Sequence, residues 1–222
     1  GTVTDEALME ERRDNLLAAL VSAGGRCGLA TLNLSRGRFI LSELEIAGAL
    51  RSELERLQPA ELLIPEDLAA DALEHLGDQP LTRRPPWHFD RDSAQRLLTT
   101  QFGTHDLQGF GCAGQDLAIA AAGALLQYAR DTQRSALPHL QGLSLEQPDD
   151  AVIIDAATRR NLELDRSLSG NDQHTLCGIM DRTATAMGGR ELRRWLSRPL
   201  RDTAAVRARH AAIGELLDRD GH

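Results

Sequence analysis

Residues 155–202 read DAATRRNLELDRSLSGNDQHTLCGIMDRTATAMGGRELRRWLSRPLRD. This stretch holds no nucleophile set, no metal-ligand spacing and no phosphate loop. It is instead a series of helix starts, helix stops and small-residue turns. Asp155 is placed to cap a helix from Ala156 to Leu164, with Leu162 and Leu164 as its apolar residues. Leu168 to Asp172 reads as a loop and His174 to Met180 as a short helix. Met187-Gly188-Gly189-Arg190 reads as a glycine break leading into a helix on which Leu192, Trp195 and Leu196 fall at i, i+3 and i+4. Pro199 closes that helix. Asp202 caps a further one from Thr203, whose stripe is Val206, Ile213 and Leu217. The region from Asp155 is therefore expected to be an all-helical scaffold.

Upstream, the periodicity changes. Thr4 or Asp5 can cap a short helix through Ala7, Leu8 and Met9. Leu16 to Val21 is an apolar run of strand length, followed by β-type segments at Cys27 to Leu34 and Arg38 to Leu41. Gly24-Gly25 and Ser35-Arg36-Gly37 supply the turns between them, so the three strands form an antiparallel meander. Ser42-Glu43-Leu44-Glu45 matches a capping box for a helix carrying Ile46, Leu50, Leu54 and Leu57. Leu62-Leu63-Ile64 is a buried-type strand, Glu66-Asp67 opens a helix through Leu76, and Gly77 to Pro86 is a loop. Asp92-Ser93-Ala94 starts a helix that ends before Gly103. The most apolar helix runs from about Gln115 to Arg130, with Leu117, Ala121, Leu125 and Tyr128 on one face. The order predicts a mixed sheet with helices on its faces. Short extended segments at Leu140 to Leu145 and Ala151 to Ile154 flank a turn at Gln147 to Asp150.

The fold class expected is thus an α/β domain over 1–138, a connection over 139–154 and an all-α region over 155–222. With 222 residues, a net charge of −8 and 41% hydrophobic residues, the composition is that of an ordinary soluble globular chain. The charge opposes a strong nucleic-acid surface on the chain as a whole. Arg190, Arg193, Arg194, Arg198 and Arg201 cluster locally; they read as a solvated helix face and its C-terminal turn, with packing and inter-domain contact expected of them ahead of DNA contact. Three isolated cysteines, Cys27, Cys112 and Cys177, form neither a disulfide framework nor a CxxC site, as expected for a reducing cytoplasm. No apolar run reaches a membrane span. The polar start and end read as cut from a longer protein.

Catalytic chemistry is sparse. A meander sheet of this kind suggests a ribonuclease H-like fold, which as a nuclease needs clustered carboxylates for two metal ions. Leu16 to Val21 carries no acid and the second strand offers only Asn33. Glu43 and Glu45 read as helix caps. No G-x-x-x-x-G-K-[ST] is present, and Gly24 to Gly28 is a hairpin turn. His174-x-x-Cys177 is half a metal site without a second half. Trp87 is expected to anchor its loop to the core, and Trp195 to be the main apolar residue of its helix.

Seven stretches, GTVTDEALMEERRDNLLAAL, LNLSRGRFILSE, QPAELLIPED, QFGTHDLQGFG, LLQYARDTQRSALPHL, IIDAATRRNLEL and TATAMGGRELRRWLSRPLRDT, are spread along the chain from Gly1 to Thr203. They resemble, in order, the bacterial MutS family of DNA mismatch-repair proteins. The resemblance implies an internal fragment: a ribonuclease H-like connector domain without nuclease function up to about Pro138, then the start of a helical core or lever domain. It further implies a dimeric parent that binds mismatched double-stranded DNA, hydrolyses ATP with Mg and recruits MutL. The fragment itself is expected to hold no catalytic residue, cofactor or metal. Its expected work is linkage and docking, with the polar side of the Asp92 to Gln101 helix, and Gln95, Arg96 and Gln101 in it, as the candidate MutL contact. The competing reading is a metal-dependent nuclease on the same fold.

Overall fold

The computed structural model describes residues 16–133 and 137–219. The helix expected through Ala7, Leu8 and Met9 lies outside these. The chain divides into two compact units, one spanning Arg13–Glu146 and the other holding Gln147–His222.

The first unit is built on a six-stranded mixed sheet in the order β5-β4-β1-β2-β3-β6. Strands β1 (Leu17–Ala23), β2 (Arg26–Asn33) and β3 (Arg38–Glu45) form the expected antiparallel meander. Gly24 and Gly25 make the first turn, both at positive φ (59° and 76°), which is what a two-residue hairpin needs to follow the strand twist. Strand β4 (Glu61–Pro65) pairs parallel with β1, and β5 (Leu81–Arg84) parallel with β4. Strand β6 (Ser144–Leu145) joins β3 at Ile40 and Leu41.

Both sheet faces are covered, which explains why β1 reads as a continuous apolar run rather than an alternating one. Ala19, Ala30, Leu32, Phe39, Leu41 and Leu63 face helices α3 (Arg91–Phe102) and α4 (Asp116–Gln133). Ala18, Leu20, Leu29, Leu62 and Ile64 face Ile46, Leu50 and Leu54 on the other side, with Leu50 turning from a π-helical segment into helix α1 (Arg51–Leu57). Small residues let the layers approach. A Cβ on Gly28 would stand 2.0 Å from the Leu117 carbonyl carbon, and one on Gly123 would stand 2.2 Å from the Ala94 Cβ.

Four local expectations need correction. Ser42 to Glu45 is the end of β3 and not a helix start, because Leu29, Gly28, Cys27 and Arg26 of β2 pair with it. The helix after Glu66 shrinks to α2 (Ala70–Leu73), with Glu66 bonded instead to the Arg84 carbonyl (2.9 Å). Within the expected loop of 77–86, Leu81–Arg84 is a strand, since a neighbouring β4 supplies the ladder that its polar composition did not announce. Helix α3 begins one turn position early, at Arg91, because Asp90 rather than Asp92 caps it.

The second unit is helical apart from one bridge, Ala151 to Leu200. Helix α5 (Ala156–Asn161) is capped by Asp155, which accepts from the Thr158 amide at 2.7 Å. It stops sooner than expected: Glu163 is left-handed (φ 44°), Leu164 is buried and Leu162 is exposed. Helix α6 (Leu176–Met180) starts from a Thr175 cap, after a 3-10 turn at Asp172–His174. Helix α7 (Ala186–Ser197) runs through the expected glycine break, because the Thr185 hydroxyl caps it from outside by accepting from the Gly188 amide (3.1 Å). Helix α8 is Thr203–Arg219, with Ala204 donating its amide to Asp202 at 2.8 Å. No helix among the described residues is long and apolar enough to cross a membrane.

Candidate partner-docking surface

Helix α3 is fixed at both ends and along one side. The Asp90 carboxylate accepts from the Ser93 amide (2.9 Å), and its bonds to Ser93 hold it below the usual carboxylate range. At the other end Gly103 takes the left-handed conformation (φ 63°) and returns its amide to the Thr99 carbonyl. Phe89 and Ala94 stand just before the cap and at the fourth helical position, the places of a hydrophobic staple, and both lie in the same buried cluster. Leu98 completes the inward side.

Of the three residues expected to form a docking face, the helix brings two near one another and turns the third away. Arg96 is exposed and donates to the Ser93 hydroxyl at 2.9 Å. Gln95 is half-buried on the flank, with its amide oxygen shielded from solvent and bonded to no group among the described residues. Gln101 belongs to the packed side. It donates to the Leu137 carbonyl (3.0 Å) and accepts from the Arg130 guanidinium, tying α3 to α4 and to the chain beyond it. At 100° per residue, Gln101 falls close to Ala94 and Leu98, while Arg96 falls opposite them with Asp92 and Thr100. Polarity alone did not reveal this; the angular position relative to Leu98 did.

Glu43, expected to cap its own segment, caps another helix. Its Oε1 accepts from the Leu117 and Ala118 amides (2.9 and 3.3 Å), the N-terminus of α4, and its other oxygen meets Arg26 at 3.3 Å. Its side chain is only 6% exposed. A carboxylate at a helix N-terminus satisfies donors that the helix cannot and complements its dipole. Among the described residues no group of three or more His, Cys, Asp or Glu side chains is arranged to hold a metal ion. Cys177 is buried while His174, three residues before it, is exposed, so this pair does not converge.

The tryptophans also depart from expectation. Trp87 is 72% exposed, and the core anchor of its turn is Phe89, at 7%. Trp195 is partly exposed, donates to Glu191 at 2.8 Å and lies under the Arg209 guanidinium (4.7 Å to the ring centre). Three arginines of the cluster around it are engaged inside its own unit. Arg194 pairs with Glu191, Arg198 donates to the Gln147 carbonyl at 2.6 Å, and Arg201 lies 3.8 Å from Asp149.

Comparison with known families gives two matches in sequence order. The family model for MutS domain II matches residues 15–141, and the model for MutS domain III matches residues 157–222.

Proposed function

The chain belongs to the MutS family, carrying its domains II and III, and from that premise we propose that it is the non-catalytic link of a DNA mismatch-repair protein. In this reading the Arg13–Glu146 unit is a connector of ribonuclease H-like type, and the helices from Asp155 begin a lever. The mixed sheet, an antiparallel meander extended by parallel β4 and β5, supports the first assignment. The succession of short, individually capped helices supports the second. The observation that carries the reading as a whole is the pair of family matches, which together span most of the chain.

The parent is proposed to dimerise in the cytoplasm, to bind mismatched double-stranded DNA, and to hydrolyse ATP with Mg at residues outside this sequence. MutL docks on the solvent side of α3, with Arg96 at its centre and Gln95 on its flank. Gln101 contributes by holding the helix in place. The test is binding of MutL to the parent carrying Gln95→Glu and Arg96→Glu. Reversing a central charge is expected to weaken it roughly tenfold, equivalent to about 1.4 kcal/mol. Unchanged binding removes α3 from the interface. A nuclease assay with Mg or Mn ions separates this reading from the competing one, which requires cleavage.

A further inference from the structure

We propose that the outer edge of β5, together with Trp87, is a docking site for an extended acidic segment of a partner protein, separate from the Arg96 face. Strand β5 is the last strand of its sheet, and among the described residues nothing pairs with its outer side. The Pro80 and Arg84 carbonyls accept from the Leu62 and Glu66 amides at 2.8 and 2.9 Å. Residues 80, 82 and 84 therefore turn their backbone toward β4, and by the alternation of a strand Leu81 and Arg83 turn theirs outward. An open edge of this kind is a template for an added strand.

The side chains along this edge select the occupant. Arg83 donates only to the Glu66 carbonyl oxygen (3.3 Å), and Arg84 lies over the Tyr128 ring (5.6 Å). Among the described residues neither is paired with a carboxylate. Because they alternate across the sheet, one cation stands on each side of the edge, and an added strand meets both with acidic residues on its two faces. A second copy of the chain fits poorly, since two β5 edges paired about a twofold axis would crowd the Arg83 and Arg84 cations of both copies along one seam.

Trp87 supplies the apolar anchor. It follows Pro85-Pro86 in a 3-10 turn that is pinned by buried Phe89 and by the His88 Nδ1 contact with Gln127 (3.2 Å). Its ring stacks on His88, with centres 6.1 Å apart. An exposed tryptophan on a pre-ordered turn, next to unpaired arginines, has the residue types and the rigidity of an interface hot spot.

The test uses the whole chain and a fluorescein-labelled peptide of about ten residues, with glutamates in adjacent pairs separated by pairs of valines so that both strand faces carry acid, and a phenylalanine near one end, read by anisotropy at low salt. Saturable binding is expected. It should weaken at least roughly tenfold with Trp87→Ala or with Arg83→Gln plus Arg84→Gln, and remain unchanged with Arg96→Glu. Methylating alternate backbone nitrogens of the peptide should abolish binding to the unaltered protein, a readout that no folding defect can imitate. Absence of saturable binding, indifference to backbone methylation, or a single-stranded oligonucleotide binding this edge more tightly than the peptide would each overturn the proposal.

Discussion

At the scale of single residues, Glu43 and Cys27 lie close together on the sheet and do opposite things. Glu43 converts a sheet position into the cap of α4, and replacing it with Ala takes the carboxylate away from two part-buried amides at the start of that helix and from the exposed Arg26. Urea denaturation of Glu43→Ala is expected to show a loss of about 1–2 kcal/mol, with Glu43→Gln recovering part of it as a neutral acceptor. An unchanged midpoint would mean that water replaces the carboxylate without penalty. Cys27 is buried among aliphatic residues, and burial pushes its thiol from the ordinary 9.0 up to about 12. A raised folded-state value means that the native chain holds its proton more tightly than the unfolded chain. The contribution is thus complete below pH 9 and is lost as pH rises toward 12, at on the order of 1 kcal/mol per pH unit. Tyr128, raised first by its hydrogen bond to Glu61 and then by burial, acts in the same direction. Stability measured across alkaline pH should therefore fall more gently in Cys27→Ala than in the native chain, after allowance for its lower starting value. Parallel curves would exclude Cys27 as a source of the slope.

At the scale of elements, the α3–α4 contact is set by absence of a side chain. A Cβ on Gly123 would overlap the Ala94 Cβ at 2.2 Å, with the Ala94 Cα at 2.5 Å. Gly123→Ala is expected to cost about 1–3 kcal/mol through overpacking, even though alanine is the better helix former by roughly 1 kcal/mol. Adding Ala94→Gly should restore part of the loss, and a double-mutant cycle with no coupling would sink this account. Such contacts also mark what could be read from sequence. The meander, β4, α4, and the Asp155 and Asp202 caps were legible because periodicity and capping are local. The second half of β3, the strand Leu81–Arg84 and the Glu43 cap were not, because each depends on a partner distant in sequence. For Glu43 that partner is Leu117, 74 residues away. The docking residues divide on the same ground. Arg96 could be placed outward from its spacing to Leu98, while the role of Gln101 depends on Arg130 and Leu137. Trp87 departs from the burial ordinary for a tryptophan after a polar loop because the nearby Phe89 takes that place.

At the scale of the whole molecule, the two units differ in how much of their apolar surface they bury. In the first, both sheet faces are sealed by buried clusters and α4 is shielded along most of its length. In the second, Met187, Ile213, Leu216 and Leu217 stand largely open, and α7 buries only Gly189. A helix of 17 residues is marginal in water unless a face is packed, since propagation barely exceeds the cost of nucleation. The contact of Arg209 with Trp195 is too small to change that balance, being worth about 0.5–1 kcal/mol at an exposed site. Hydrogen exchange on this chain should therefore give a wide spread of opening energies. Amides of β1, β2 and α4 are expected to open only with global unfolding of their unit, while those of Thr203–Arg219 should exchange within a factor of roughly a hundred of unprotected rates. Dilution separates the possible causes of any excess protection. If α8 is protected at high concentration and loses that protection on dilution, a second copy is covering its apolar stripe. Protection equal to that of α4 at every concentration would contradict the open face and would require packing within the chain that its exposed leucines do not provide.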